Sequence, residues 1–434
     1  MSHPDASPSL GQRLMARLDE AATYSLPGPG VSRLFASEEH RRLLPLLAEW
    51  MRDAGLEPSL DAVGNLMGRC PRARAGEPAL ILGSHQDSVI EGGKYDGMLG
   101  VALPLLALQA LNESGRAPAC AVEVVAFGDE EGVRFPSTLV GSRALAGTLD
   151  PRVLDGKDAA GVSLREALVD LGADTSRLDE VARDPSRVLG YVEVHIEQGP
   201  VLEQEGLALG VVTVLTGIER HRVRVTGKAG HAGTTPMAGR RDALVGTAAM
   251  VVEVDRRLKA MEEMVGVVGQ LSVRPGAVNV IPAEVAFTLE LRSPHREVRR
   301  SGRTEILAAL QGIAREWGLE MDTTLAYEAE GVACADWLIE ALEQACRQED
   351  QPTRRLFSGA GHDGLAMHAL TDIGMLFVRC RDGLSHHPDE AITAEDAEAA
   401  TRVVMCLLED LKPARAGLKP PTPRRPGRAP IDAS

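Results

Sequence analysis

The sequence predicts an α/β protein in which a mostly parallel sheet carries an inserted α+β domain. Apolar strand-like runs alternate with helix-like stretches in the first part of the chain, as is typical of parallel sheets. The middle of the chain has the element order β-α-β-β-α-β of a ferredoxin-like unit. With 434 residues, the chain is also too long for one ordinary core. We therefore expect a larger domain from residues 1–212 and 331–412, interrupted by a smaller domain from residues 213–330.

The elements of the larger domain follow from apolar patterns. Residues 9–55 repeat apolar side chains at helical spacing and end at Gly55, which predicts helical structure there. Short apolar runs between turn residues predict strands, and longer runs predict helices. In chain order, the predictions are strands over 65–69 and 79–85, a helix over 98–111, a strand over 121–127, a helix over 337–347, a strand over 374–379 and a helix over 394–411.

The smaller domain has its own pattern. An amphipathic helix over 241–259 presents one apolar face, formed by Leu244, Ala248, Val251 and Leu258. Along 283–292 apolar and polar residues alternate, so Arg292 is expected on the face that points away from the core. The other predicted elements are strands over 222–226, 267–273 and 321–327 and a helix over 296–317.

Composition excludes several classes of function. A formal net charge of −15 argues against a surface that binds phosphate backbones, so nucleic acid is not an expected partner. The six cysteines are scattered without CxxC spacing, and residues 1–18 lack an apolar secretory segment, which favours a cytoplasmic protein with reduced thiols. No apolar run approaches the roughly 20 residues of a membrane span. Residues 413–434 are rich in Pro and Arg and are expected to be disordered.

Metal-ligating residue types follow several of the predicted strands. Because parallel strands end at one edge of a sheet, these side chains are expected to meet there. Imidazole and carboxylate groups brought together in this way form metal sites. The residues are His85 at the end of the strand over 79–85, Asp96 in the loop after it, Glu130 and Glu131 after the strand over 121–127, His195 after the apolar run over 191–194, and His386 after the strand over 374–379.

Six motifs in one order resemble the hydantoinase/carbamoylase branch of the M20 metallopeptidase-like amidohydrolases. They are GSHQDS…GGKYDG, DEEGVRF, YVEVHIEQGP, GHAGTTPM, NVIP and SGAGHDG…SHHPDE, and the resemblance covers about residues 10–412. It implies a two-metal hydrolase that cleaves carbamoyl or ureido amides of small carboxylic acids. It also implies that the inserted domain mediates homodimerisation and closes over the site.

The resemblance implies a role for each metal-type residue. Asp96 would bridge two divalent ions, with His85 and His195 at one ion and Glu131 and His386 at the other. The resemblance makes Mn²⁺ or Zn²⁺ the leading choices, and mixed N/O ligands also accept Co²⁺ or Ni²⁺.

Two neighbours of these ligands receive catalytic roles by the same resemblance. Glu130 matches the general base, which takes a proton from the attacking water and gives it to the leaving ammonia. Asp87 matches the residue that holds the imidazole of His85 through its other nitrogen.

Further positions match substrate contacts in the family. Asn279 and Arg292 match residues that grip the substrate carboxylate, which suits the forked guanidinium of Arg292. His231 matches a histidine that polarises the scissile carbonyl, often from the partner subunit. Gln198 is expected to contact the ureido group, and Arg220 is expected to contact substrate.

Within the branch, GAGHDG and residues 374–383 are most similar to allantoate amidohydrolases. N-carbamoyl-L-amino acid hydrolases, or β-ureidopropionase-like enzymes, share every metal position and are the alternative. Relatives that act on allantoate often have Gln-Arg after the glycine that matches Gly217, whereas this chain has Ile218-Glu219-Arg220.

Two other classes are disfavoured by particular residues. A non-catalytic binding protein is disfavoured because Glu130 and the whole metal set are present. An aminopeptidase or dipeptidase is disfavoured by His195, since those enzymes generally place a carboxylate at that position.

Overall fold

The computed structural model describes residues 7–71 and 77–411 and consists of two compact units. Among the described residues, the larger unit comprises 7–213, 333–356 and 360–411, and the smaller unit comprises 214–332 and 357–359. The stretch 413–434, for which the sequence predicts disorder, lies outside the described residues.

The strands are β1 (Glu57–Leu60), β2 (Leu66–Arg69), β3 (Ala79–His85), β4 (Ala121–Phe127), β5 (Val188–Ile196), β6 (Leu209–Leu215), β7 (Gly217–Thr226), β8 (Gly230–His231), β9 (Val265–Arg274), β10 (Val280–Ile281), β11 (Glu284–Ser293), β12 (Glu320–Ala329), β13 (Val332–Ala333), β14 (Thr353–Ser358) and β15 (Ile373–Val378). The helices are α1 (Leu10–Ala22), α2 (Glu38–Asp53), α3 (Met98–Glu113), α4 (Val140–Leu145), α5 (Leu164–Leu171), α6 (Val201–Glu205), α7 (Ala243–Leu258), α8 (Arg296–Glu316), α9 (Asp336–Gln348), α10 (Gly364–Met367) and α11 (Ala394–Asp410).

The sheet of the larger unit is mixed, with a parallel centre. Its strand order is β1-β2-β4-β3-β5-β15-β6-β13, and β14 pairs with β6. Strands β4, β3, β5 and β15 pair in parallel, whereas β1 with β2, β2 with β4, and β15 with β6 pair antiparallel. The expected mostly parallel sheet is therefore parallel only at its centre. A tight turn joins β1 to β2, as antiparallel neighbours allow, whereas β2 with β4 and β6 with β15 are antiparallel pairs between segments far apart in the chain.

The parallel centre is deeply buried and ends at one edge. All seven residues of β3 are buried, as is usual for a strand covered on both faces. Helix α3 is apolar on all sides and packs against β3, β5, α1 and α11. The carboxyl ends of β3, β4, β5 and β15 therefore lie side by side on a rigid base, where open α/β sheets bind ligands.

The smaller unit contains a four-stranded antiparallel sheet of order β12-β7-β11-β9. Its element order is that of a ferredoxin-like unit. Alternate residues of β11, namely Val285, Phe287, Leu289 and Leu291, are buried in a core shared with α7 and α8. This alternation agrees with the prediction and leaves Glu290 and Arg292 on the opposite face of the sheet.

All six cysteines are free. Within residues 7–71 and 77–411, no helix has the length and apolar character needed to cross a bilayer.

Candidate metal centre

Asp96 is the centre of a cluster in the larger unit, and its two carboxylate oxygens face different side chains. Oδ1 lies 3.3 Å from Nε2 of His85 and 3.1 Å from Nε2 of His195. Oδ2 lies 3.2 Å from Nε2 of His386. The same His386 nitrogen lies 3.6 Å from Oε1 of Glu131. One carboxylate thus joins two sets of potential metal ligands.

Ligand atoms of these residues form three groups that could each hold a cation. The groups are His85, Asp96 and His195; Asp96, Glu131 and His386; and His85, Glu130 and Glu131. In each group the potential ligand atoms lie within 4.8 Å of one another. The first two groups share Asp96 and match the two expected donor sets.

Strand ends position most of these side chains. His85 is the last residue of β3, and His195 is the penultimate residue of β5. Glu130 and Glu131 follow β4, and His386 follows β15 after a short helical turn. The parallel centre of the sheet thus delivers residues that are far apart in the sequence to one place.

Glycine is required where the Asp96 loop passes His85. Gly97 has φ = 67°, a conformation that L side chains rarely adopt, and a Cβ there would lie 2.4 Å from the His85 ring. Three non-glycine residues of the site also have a positive φ: Asp129 (φ 57°), Gln198 (φ 56°) and His386 (φ 55°). Such backbone strain is concentrated at functional sites because it aims side chains in directions that relaxed loops do not reach.

Asp87 contacts both the His85 ring and the loop that carries Glu130 and Glu131. Its backbone carbonyl, not its carboxylate, lies 3.0 Å from Nδ1 of His85. The carboxylate instead accepts hydrogen bonds from the backbone amides of Glu130 and Glu131, at 3.3 and 3.2 Å. Asp87 therefore fixes the loop that carries both glutamates. Spacing alone could not show this, since a two-residue step from His85 allows either group to reach the ring.

Backbone carbonyls also orient the rings of the two buried histidines. Nδ1 of His195 lies 2.9 Å from the carbonyl of Ile196, as Nδ1 of His85 lies beside that of Asp87. When Nδ1 donates to a carbonyl, Nε2 is the ring nitrogen that remains available to bind a cation. In both rings that Nε2 faces Asp96.

Two supporting residues were not identified from the sequence. Oε1 of Glu390 accepts hydrogen bonds from the backbone amides of Tyr95 and Asp96, at 3.0 and 3.1 Å. Its Oε2 accepts one from the hydroxyl of Ser385 at 3.0 Å. Glu390 therefore positions both the Asp96 loop and the segment before His386. The only signal was its place in the SHHPDE motif.

Buried Glu193 supports the strand that carries His195. Its carboxylate accepts hydrogen bonds from the hydroxyl of Ser84 at 2.7 Å and from the backbone amide of Gly364 at 3.2 Å. Because Ser84 precedes His85 and Gly364 opens α10, Glu193 connects three segments beneath the site.

The cluster carries an excess of buried acid. Burial raises the pKa of Glu130 well above its ordinary value; His85 opposes this, while the carboxylates of Glu131 and Asp363 add to it. Burial likewise raises the pKa of Glu131 to about 7. Burial also opposes ionisation of Asp96, but His195, His386 and His85 outweigh it and hold the pKa of Asp96 well below its usual range. Several buried carboxylates beside imidazole nitrogens are a donor set that divalent cations would neutralise.

Gln198 belongs to this cluster. Its Nε2 donates to Oδ2 of Asp96 at 3.1 Å and to the hydroxyl of Ser385 at 3.0 Å. Its Oε1 is buried and has no hydrogen-bond partner among the described residues. That oxygen can accept a hydrogen bond from an incoming N–H group.

The other expected substrate residues lie in the smaller unit and form two groups. Arg220 and Arg292 both bind Glu290 on the open face of the sheet. His231 lies in β8 and pairs with Val280 of β10, and the adjacent Ala232 amide donates to the carbonyl of Asn279.

Fold and site together define a hydrolase of the metal-binding α/β class, in which the ends of parallel strands gather histidines and carboxylates around one aspartate. The chain belongs to peptidase family M20/M25/M40, whose family model matches residues 81–410.

Amidohydrolases are among its relatives. An N-carbamoyl-L-amino acid amidohydrolase of Geobacillus stearothermophilus is 42% identical, over 91% of this chain and 97% of the relative. An allantoate deiminase of Arabidopsis thaliana is 38% identical, over 92% of this chain and 82% of the relative. The crystal structure of a hydantoinase/carbamoylase family amidase from Burkholderia multivorans superposes with a TM-score of 0.83 at 32% identity and covers 92% of this chain and 97% of that one. The chain is thus an amidohydrolase that acts on C–N bonds outside peptides.

Proposed function

We propose that the protein hydrolyses a ureido C–N bond in a small carboxylate with the help of two divalent ions. The shared carboxylate of Asp96 carries this proposal, because its two oxygens face two separate donor sets beside Glu130. Allantoate is the substrate favoured by the sequence motifs. N-carbamoyl-L-amino acids are the second candidate, favoured by the name of the relative that is 42% identical.

The residues present fit the proposed ions. His85 and His195 would hold one ion and Glu131 and His386 the other, with Asp96 shared between them. Nitrogen and oxygen ligands of this kind suit Mn²⁺ and Zn²⁺, and also Co²⁺ or Ni²⁺. Divalent ions in such a site polarise a carbonyl oxygen and make water more acidic.

The chain's own residues then move protons and hold the substrate. Glu130 takes the proton of the attacking water as the water oxygen bonds to the ureido carbon. When the C–N bond breaks, Glu130 gives that proton to the nitrogen, which leaves as ammonia. Gln198 accepts a hydrogen bond from the ureido N–H through its unpaired Oε1.

Residues of the smaller unit bind the other parts of the substrate. Arg292 and Asn279 hold the carboxylate, Arg220 supports this group of residues, and His231, supplied by a partner subunit, polarises the scissile carbonyl.

A second copy of the chain is the proposed partner of the smaller unit. Strand β9 is an edge of the four-stranded sheet and exposes Val265 and Val267. Helix α7, which packs against β9, exposes Val245 and Val252. An exposed apolar edge strand is a ready surface for pairing with an identical strand.

The six free cysteines favour a reducing compartment and hence the cytoplasm.

Light scattering during size-exclusion chromatography tests the dimer. The parent protein should have twice the mass of one chain, and Val267→Glu should shift it to the mass of a single chain. The matched control is Leu325→Glu on β12, the opposite edge of the same sheet, which should remain a dimer. A monomeric parent protein would contradict the proposal.

Ammonia release by the manganese-loaded protein tests the activity. Allantoate should be assayed beside a panel of N-carbamoyl-L-amino acids, because the ratio of kcat/KM values decides between the two candidates. If none of these compounds releases ammonia, the proposed function is wrong.

A further inference from the structure

Arg292 already binds a carboxylate of its own chain. Its Nε and Nη2 donate to Oε1 of Glu290 at 2.9 and 2.7 Å, and its Nη1 donates to the carbonyl of Gly359 at 2.6 Å. A guanidinium has five N–H donors, so one remains on each terminal nitrogen. A substrate carboxylate can therefore bind across the end of the fork, beside Glu290 and without displacing it.

A second arginine holds Glu290 in place. Arg220 lies directly opposite Glu290 in the register of β7 and β11, and its Nε and Nη2 donate to Oε2 at 2.9 and 2.5 Å. The Arg220 guanidinium also lies 5.9 Å from the centre of the Tyr327 ring. Burial opposes ionisation of Glu290, but Arg220 and Arg292 outweigh it and lower the pKa of Glu290 below its usual value.

The cluster of Arg220, Glu290 and Arg292 therefore has a net charge of one positive unit. One substrate carboxylate neutralises that charge. A second carboxylate on the same small molecule would bring another negative charge close to Glu290, and like charges at such short range repel strongly on a partly buried surface.

We infer that Glu290 is a specificity-determining residue that restricts the arginine cluster to substrates with a single carboxylate. Glu290 binds Nε and Nη2 on one side of the Arg292 guanidinium, so that the end formed by Nη1 and Nη2 remains available to the substrate. It also repels a second anionic group. This inference rests on the proposed function, since it assigns the class of carboxylate that the proposed site accepts.

The same strand offers a matched control. Glu284 lies on β11, on the same face as Glu290, and accepts a hydrogen bond from Nε of Arg224 at 2.8 Å. Replacing Glu284 by Gln removes the same charge from the same sheet face and weakens a similar ion pair, but it leaves Arg292 and Glu290 intact.

Isothermal titration of the manganese-loaded protein with N-carbamoylglycine and N-carbamoyl-L-aspartate tests the inference. A Glu130→Gln background allows binding to be measured without turnover. The parent should bind the monoanion more tightly than the dianion. Adding Glu290→Gln should improve binding of the dianion at least ten-fold relative to the monoanion, whereas adding Glu284→Gln should leave the ratio of the two dissociation constants within two-fold.

Three results would overturn the inference: an unchanged ratio in the Glu290→Gln protein, an equal shift in the Glu284→Gln protein, or no binding of either ligand. Failure of the proposed function has a different signature, since it is detected as absence of ammonia release by the unmodified protein. A protein that turns over ureido substrates but shows an unchanged ratio would retain its function and lose this specificity role for Glu290.

Discussion

The metal centre of the larger unit and the arginine cluster of the smaller unit differ in the burial of their charged groups and in the sign of the excess charge. Around Asp96, several carboxylates are buried with imidazoles: burial raises the pKa values of Glu130 and Glu131, whereas the histidines outweigh burial and lower the pKa of Asp96. Around Glu290, two arginines share one carboxylate on a partly exposed sheet face, which leaves one positive charge in contact with solvent. A buried excess of carboxylates calls for an external cation, whereas a partly exposed cluster with one positive charge is solvated by water and needs none. Changes at the first region should therefore have larger effects than changes at the second.

Metal removal should have the largest effect on activity, because it acts on the metal centre. Exhaustive chelation should abolish ammonia release, and Mn²⁺ should restore it, because the ligands around Asp96 supply no electrophile without a cation. Thermal unfolding should also shift to lower temperature, since a bound ion stabilises only the folded state. Full activity in protein shown by mass spectrometry to be free of metal would contradict the role of this cluster.

Glu130→Gln should lower kcat by about 10²–10⁴-fold, the usual contribution of a general base. Metal content measured by mass spectrometry should not change, because the donor sets that share Asp96 remain intact. The neighbouring Glu131→Gln is the matched control and should lose metal as well as activity. Substantial residual turnover in Glu130→Gln would remove this residue from the role of base.

Glu390→Ala should weaken metal binding by about 10–100-fold, as expected for residues that orient metal ligands. The affinity can be measured by competition with a chromophoric chelator. Glu390→Gln should recover part of the loss, since its amide oxygen can still accept from the amides of Tyr95 and Asp96. Equal affinities in all three proteins would show that Glu390 does not position the Asp96 loop.

Arg292→Ala should produce a smaller effect, confined to substrate binding. KM for carboxylated substrates should rise roughly ten- to hundred-fold, which corresponds to the loss of one or two hydrogen bonds to a charged group. Metal content and kcat should change little. Arg224→Ala on the same sheet face is the control and should leave KM unaltered. If KM is the same in both variants, the carboxylate is not bound at Arg292.

The same contrast explains what the sequence could predict. His85, Glu131, His195 and His386 follow apolar strands, and the ends of parallel strands meet, so their convergence could be inferred before the structure. The alternation of β11 likewise placed Arg292 away from the core. These inferences depend on local patterns, which are visible in the sequence.

Contacts between distant segments could not be predicted. Glu390 binds the amides of Tyr95 and Asp96 across a separation of 295 and 294 residues, and no local pattern marks such a pair. The division of labour in Asp87, whose carbonyl contacts His85 while its carboxylate binds the amides of Glu130 and Glu131, depends on loop geometry. The hydrogen bonds from Arg292 to Glu290 depend on side-chain rotamers, since sequence spacing shows only that both residues lie on one face of the strand.

The order of the ligands along the chain has a consequence for biosynthesis. His85, Asp96 and His195 have all been synthesised before the smaller unit is made, while His386 follows about 190 residues later. At about 5–20 residues per second, this delay is roughly 10–40 s. A nascent chain therefore carries the donor set of His85, Asp96 and His195 before the set that includes His386 has been synthesised.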